Sequence, residues 1–211
     1  MRVGVLGGSF NPPHIGHLIL ASDAFEALKL DRLVIVPANT NPLKGTDPLA
    51  PRPEQRLDMV RLAFGGDNRF QVSSVEIDRG GLSFMVDTLE TLAADHKGAE
   101  LVLLLGIDSL KTLDRWNRPQ RIKELATLAA LMREERTLAS RAAEATHAEP
   151  HDAEAQSRFQ QFEVVTTRRV DVSSTEIRER IAAGLPVKGF VAESVEAYIS
   201  AAKLYRQRSE D

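Results

Sequence analysis

The segment Gly7-Gly8-Ser9-Phe10-Asn11-Pro12-Pro13-His14-Ile15-Gly16-His17 gathers glycines, a hydroxyl and two imidazoles between a short apolar run and a helical pattern. Gly7 and Gly8 permit a tight backbone turn and leave amide N–H groups accessible. The N-terminus of the helix that follows carries roughly half a positive charge, which suits a phosphate. His14 and His17 stand at i and i+3, so both can project from one side of the first helical turn. Each can donate a hydrogen bond to a phosphate oxygen. The same spacing also accommodates a metal pair or a plain polar helix start. The segment is not a P-loop, because the closing Lys-Ser/Thr is missing. Nor does its glycine spacing fit the dinucleotide fingerprint.

Further groups follow downstream. In Val172-Ser173-Ser174-Thr175-Glu176-Ile177-Arg178, Ser173 and Glu176 have the spacing of a capping box at a helix start. Thr175 and Arg178 add a hydroxyl and a guanidinium to that same helix start, both suited to a polyphosphate. Leu105-Gly106-Ile107-Asp108 follows the most apolar strand, and Asp108 by itself reads as a helix cap. Trp116, the only tryptophan, reads by itself as a packing residue, and Lys44 as a solvated surface lysine.

Taken together, Gly8-Ser9-Phe10-Asn11-Pro12-Pro13-His14-Ile15-Gly16-His17 resembles the signature of the nucleotidyltransferase superfamily whose hallmark is His-x-Gly-His. Within it the chain is similar, over nearly its whole length, to the nicotinate mononucleotide adenylyltransferases of bacterial NAD synthesis. The resemblance implies adenylyl transfer from ATP to a mononucleotide phosphate, with Mg²⁺ held mainly by the ATP phosphates. It implies an ATP site at Gly8, Ser9, Phe10, His14, His17, Gly106, Asp108, Ser174, Thr175 and Arg178. Ser9, Lys44, Phe84, Met85, Trp116 and Asn117 are implied for the mononucleotide, with Trp116 stacked on its pyridine ring. His17, His14, Lys44 and Arg178 are the implied catalytic contacts. No residue is implied as a metal ligand. Three positions depart from the family pattern: Leu43 stands for a histidine, Met85 for a threonine, and Asn117 for a tyrosine or histidine. They bear on the choice of acceptor. Nicotinamide mononucleotide or phosphopantetheine as acceptor, and a catalytically silent nucleotide-binding module, remain the alternatives.

These groups need a scaffold, and the hydrophobic pattern describes one. Met1 to Leu6 reads as a strand. Leu18, Ala21, Phe25 and Leu28, spaced 3, 4 and 3 apart, share one face of a helix. Leu33 to Pro37 is a continuous apolar run of the kind buried on both sides. Strand, helix and strand make a βαβ unit with a parallel pair. Ala38 to Pro53, with Pro42, Pro48 and Pro51 before its last proline, reads as a long and functional loop. Next are a helix around Glu54 to Phe64, an extended stretch from Phe70 to Ile77 and a helix from Met85 to Ala94. Glu100 to Leu105 is the clearest buried strand, and Thr127 to Leu131 and Phe162 to Val165 are weaker ones. Helices from Ser174 to Ala183 and Glu193 to Lys203 close the chain, the first stopped by Gly184 and Pro186. Arg133 to Gln160, rich in Ala, Glu and Arg, reads as a surface helical excursion. Alternating strands and helices predict an α/β fold with a doubly wound parallel sheet, and one domain over residues 1–211.

Composition limits the function classes. The 211 residues are 43% hydrophobic and 27% charged, as in ordinary globular proteins, and the net charge of −3 argues against a nucleic-acid or membrane partner. With no cysteine, disulfides and thiolate chemistry are excluded. Apolar runs such as Leu101 to Leu105 fall far short of the ~20 residues of a membrane span. Because a strand pattern begins at once, no secretory signal is expected, and a cytoplasmic protein is. The expected partners are ATP and nicotinate mononucleotide, with a homo-oligomer left open.

Overall fold

The computed structural model describes residues 1–42, 50–133 and 162–206. Among them, β1 (Arg2–Gly8), β2 (Arg32–Pro37), β3 (Phe70–Val72), β4 (Glu100–Gly106), β5 (Thr127–Arg133) and β6 (Glu163–Thr167) form one sheet. Every pairing is parallel and the order is β3-β2-β1-β4-β5-β6. The winding therefore reverses between β1 and β4, where a doubly wound sheet leaves a crevice beyond its strand ends. The loops at Ser9 and at Ile107 both leave the sheet there.

Strand alternation divides the core into two layers. Val3, Val5, Val34, Val36, Leu101, Leu103 and Leu105 face one side. Leu6, Leu33, Ile35, Val102 and Leu104 face the other. Each such fully buried side chain contributes about 1.5–3 kcal/mol, so both faces must be covered by helices. One side packs on α1 (Ile15–Ala27) and α2 (Pro53–Phe64), the other on α4 (Met85–Asp95) and α6 (Pro119–Leu125). Between them lie the shorter helices α3 (Val75–Arg79) and α5 (Ile107–Thr112), the latter followed by a 3₁₀ turn at Leu113–Arg115. A third apolar cluster, containing Met59, Ile177, Val195 and Ile199, fastens α7 (Ser174–Ala182) and α8 (Glu193–Ala201) to α2.

Several sequence expectations are corrected. The extended stretch expected from Phe70 to Ile77 is a strand only to Val72; its second half is α3, whose start is tied by the Ser74 hydroxyl to Asp78 at 2.6 Å. Helices α5 and α6 are absent from the sequence reading, since six or seven residues are too few to display a helical period. The first strand continues through Gly7 and Gly8, which pair with Val36 and Pro37, so these glycines do not make the turn. The helices expected to run to Ala183 and Lys203 end at Ala182 and Ala201. Lys44 and residues 134–160 of the expected excursion lie outside the described residues.

Candidate active site

The turn after β1 is made by Phe10, at φ 44°, and by a cis Asn11–Pro12 bond. Gly7 and Gly8 serve by what they lack. A Cβ on Gly7 would stand 2.6 Å from the Met85 Cε, and one on Gly8 would stand 3.0 Å from the Phe10 ring. The loop then enters α1 with His14 as N-cap and His17 in the first turn. Their ring centroids are 3.8 Å apart, and the His17 ring also meets Phe10 edge-on at 5.0 Å. The His14 backbone N–H donates to His17 Nδ1 at 3.1 Å. An Nδ1 that accepts must be unprotonated, so the neutral His17 ring carries its proton on Nε2 and is a donor there.

The loop is held by side chains from three other elements. Ser174 Oγ donates to the Pro12 carbonyl at 2.8 Å, and Arg178 to the Asn11 carbonyl at 2.9 Å. A second Arg178 nitrogen donates to Thr175 Oγ1 at 3.2 Å. The Tyr205 hydroxyl donates to Asn11 Oδ1 at 2.8 Å. Burial pushes the Tyr205 phenol far up, against the pull of Arg178 and Arg56, so it keeps its proton. Beneath the loop, the buried Arg56 donates to the Ser9 carbonyl at 2.9 Å and to the Asn39 carbonyl at 2.7 Å. Burial pulls its pKa below the ordinary arginine value, yet a guanidinium remains charged.

Two cavities meet at this point. The larger, about 320 Å³, is lined by Gly8, Ser9, Ser83, Phe84, Met85, Trp116 and Asn117, among others. The smaller, about 130 Å³, is lined by Phe10, His17, Gly106 and the ends of β4 and β5. Gly7, Gly8, Met85, Ser109 and Trp116 belong to both. The outer wall of the larger cavity is zipped together: the Asn39 N–H donates to Ser83 Oγ at 2.8 Å, and the Ser83 N–H to the Thr40 carbonyl at 2.9 Å. Ser9 also lines this cavity, and its Oγ is buried without a hydrogen-bond partner in the structure. The buried Glu76 also lines the cavity, its Oε1 accepting from Thr88 Oγ1 at 2.6 Å.

Apart from Asp108 and Lys44, the sequence candidates fall into three groups. Gly8, Ser9, Phe84, Met85, Trp116 and Asn117 come together around the larger cavity, and Gly8, Phe10, His17 and Gly106 around the smaller. His14 is packed under His17, and Ser174, Thr175 and Arg178 bond the loop or one another without lining either cavity. Asp108 is exposed and is not the helix cap expected of it. Gly106 is the N-cap of α5, and Asp108 lies in the first turn, where its charge suits the helix dipole. Ser173 does cap α7, accepting the Glu176 N–H at 3.1 Å. Arg118, the basic side chain next to Asn117, is engaged with Asp87 at 2.6 Å and Glu90 at 3.1 Å. Among the described residues no group of three or more His, Cys, Asp or Glu is arranged to hold a metal ion.

Arg56, Glu76, Asn39 and Tyr205 escaped the sequence reading. Arg56 left a legible signal, since it precedes Val60 and Phe64 at i+4 and i+8 on the buried stripe of α2. A cation there must find buried acceptors. Tyr205 left none, because left-handed turns at Lys203 and Tyr205 carry it to the loop after α8 has ended.

Gly16 explains why a glycine separates the two histidines. A Cβ there would stand 3.0 Å from His14 Nδ1 and 3.1 Å from its Cε1. Alanine favours a helix by about 1 kcal/mol over glycine, so Gly16→Ala should hold or raise Tm. Activity should nevertheless fall about tenfold or more as the displaced His14 disturbs its stack with His17. Parallel thermal melts and turnover assays check this, and unchanged kcat would show that the close approach is unimportant.

Residues 5–180 match the family model described as cytidylyltransferase-like. A protein of Gemmatimonas aurantiaca named probable nicotinate-nucleotide adenylyltransferase is 45% identical over 207 residues, which cover 98% of this chain and 93% of that one. A protein of the same name from a Roseiflexus species is 40% identical over 205 residues, covering 97% and 98%. Among solved structures, Plasmodium falciparum nicotinic acid mononucleotide adenylyltransferase complexed with NaAD aligns with a TM-score of 0.71 over 97% of each chain. At 14% identity that likeness concerns the fold.

Proposed function

The chain belongs to the cytidylyltransferase-like family, and from that premise we propose that it transfers the adenylyl group of ATP to nicotinate mononucleotide, giving deamido-NAD and pyrophosphate in NAD biosynthesis. The observation that carries this reading is the pair of cavities joined at Gly8, Met85 and Trp116 beside the α1 N-terminus. An acceptor in the larger cavity and an ATP whose adenosine end enters the smaller one would bring their phosphates together at the loop that holds His14 and His17.

The reaction forms a bond between an acceptor phosphate oxygen and the α-phosphorus, and breaks the bond from that phosphorus to the pyrophosphate oxygen. An acceptor phosphate with a second pKa of about 6 is already largely ionised near neutrality, so no general base is needed. Catalysis is then alignment and neutralisation of charge. In this reading His17 Nε2–H donates to the α-phosphate, and His14 orients His17 through their stack and the backbone bond. Arg178, Ser174 and Thr175 serve the outer phosphates at the α7 N-terminus, where hydroxyls, a guanidinium and the helix dipole converge. Lys44 is assigned a supporting charge near the reacting phosphates. Asp108 and Gly106 are assigned to the adenosine.

Magnesium fits this site as a companion of the nucleotide rather than as a resident ion, because the described groups there are imidazoles, hydroxyls, a guanidinium and a single carboxylate, Glu76, already engaged by Thr88. Held by phosphate oxygens and water, it would add charge neutralisation on the α- and β-phosphates. No described helix is long and apolar enough to cross a membrane. A cytoplasmic location, one catalytic domain over residues 1–211 with an excursion at 133–160, and no nucleic-acid partner complete the proposal, with a homo-oligomer left open.

Acceptor choice follows from the α4 N-terminus. Met85 and Val86 open this helix, whose first N–H groups have no partner within it, and Phe84 and Met85 line the larger cavity. A carboxylate on the pyridine ring is stabilised there by the helix dipole, while a neutral carboxamide gains less. With Arg118 engaged by Asp87 and Glu90, the backbone is left to discriminate. Pyrophosphate release from ATP, measured with nicotinate mononucleotide, nicotinamide mononucleotide and phosphopantetheine, is expected to give the highest kcat/KM with the first. Met85→Thr should sharpen that preference by adding a hydroxyl. An equal or greater kcat/KM with the amide would overturn the acceptor, and no release with any of the three would leave a silent binding module.

A further inference from the structure

Trp116 lines both cavities, and the stacking that the family resemblance implies for it depends on the plane of its indole. That plane is not set by packing alone, because the ring is only partly buried against the core. An indole N–H can only donate, and in a half-buried setting it seeks a fixed acceptor. The acceptor here is Thr112 Oγ1, one helical turn earlier, at 3.3 Å. The Thr112 hydroxyl has one hydrogen, and it is directed back along α5 to the carbonyls of Ser109, at 3.1 Å, and Asp108, at 3.3 Å. With its proton so engaged, the oxygen presents a lone pair to the indole. Between the two residues, Leu113 is buried and its carbonyl accepts the Trp116 N–H at 3.0 Å, which fixes the backbone of the turn. The backbone bond places Trp116, and the side-chain bond gives its indole N–H a fixed acceptor.

We propose that Thr112 is a positioning residue for the acceptor, its hydroxyl holding the Trp116 indole in the plane on which the pyridine ring of the mononucleotide stacks. The inference rests on the acceptor site described above and deepens it. A pyridinium ring is cationic and is attracted to an indole face only when that face is presented to it. A swivelling indole would present that face for a fraction of the time, and apparent affinity falls by that fraction.

Thr112→Val keeps the branched shape and removes both hydrogen-bonding functions, whereas Thr112→Ser keeps the hydroxyl. Loss of one neutral hydrogen bond should raise KM for nicotinate mononucleotide roughly three- to tenfold in Thr112→Val, with KM for ATP within about twofold. Thr112→Ser should restore it. In a Trp116→Phe background, where the ring has no N–H to hold, Thr112→Val should add nothing further, since the two positions act as one. Trp116 is the only tryptophan, so its fluorescence anisotropy reports this ring alone and should drop in ligand-free Thr112→Val. An unchanged anisotropy and unchanged KM would overturn the inference. So would an equal rise in both KM values, which would mean that Thr112 only steadies α5. Failure of the underlying reading is separately visible in the wild-type chain, as an absence of both turnover with nicotinate mononucleotide and quenching of Trp116 by it.

Discussion

Replacing His17 with alanine is expected to lower kcat by about 10²–10³, the usual consequence of removing one preorganised donor from a developing oxyanion. The reason lies in how the ring is held. Because the His14 N–H occupies Nδ1, the proton of the neutral ring is fixed on Nε2, and the donor needs no reorganisation as charge builds on the α-phosphate. Contacts with Phe10 and His14 restrain the ring on two sides. KM for ATP should change far less than kcat, since an interaction that strengthens in the transition state contributes little to ground-state binding. His17→Gln, which retains an N–H donor without the ring, should lie between the two. Steady-state kinetics with both substrates varied provide the measurement. A kcat for His17→Ala within about threefold of the wild type, less than one neutral hydrogen bond, would remove His17 from the reaction.

Arg56→Met should be the most destabilising single change at the site. Met removes two donors and leaves the carbonyls of Ser9 and Asn39 without the bonds they receive from a buried guanidinium. Hydrogen bonds to charged groups are worth about 1.5–3 kcal/mol each, and relief of the burial of the cation offsets part of that. A net loss of about 3 kcal/mol corresponds to a fall in Tm on the order of 10 °C for a chain of this size. Arg56→Lys should recover only part of it, because one ammonium lacks the fork that spans both carbonyls. In the surviving folded protein, kcat/KM should drop as well. Ser9 lines the larger cavity, and Asn39 holds Ser83 on its wall, so the two walls lose their common tie. Melting curves of the three proteins check the first part, and a Tm for Arg56→Met within about 2 °C of the wild type would show that these bonds contribute under 1 kcal/mol.

Much of the scaffold was legible in the residue pattern. Leu33 to Val36 and Leu101 to Leu105 are apolar at every position, which only a parallel strand covered on both faces requires, and both are such strands in the structure. Leu18, Ala21 and Phe25 lie on the inward side of α1 as their spacing demands, with Leu28 beside them at its C-cap; Ala21 and Leu28 are buried and the other two partly so. The loop from Gly8 to His17 was legible as a unit because its residues are contiguous. Its internal division of labour was not. Gly7 and Gly8 read as the turn, whereas the turn belongs to Phe10 and the glycines make room for Met85 and Phe10.

What the sequence determined by itself, then, is the alternation that builds a doubly wound sheet and the local cluster of glycines, hydroxyl and imidazoles at the end of its first strand. Local periodicity and contiguous residue types are properties of short windows, and these two features need nothing more. Only the tertiary structure decided what keeps the loop in place. Arg56 bonds Ser9 across 47 residues, Arg178 bonds Asn11 across 167 and Tyr205 bonds Asn11 across 194. Each of these side chains satisfies a carbonyl or amide oxygen that the turn itself cannot pair. A buried polar group must find a partner somewhere, but nothing in its own stretch of chain says where, because that is settled by which distant segments the core brings together.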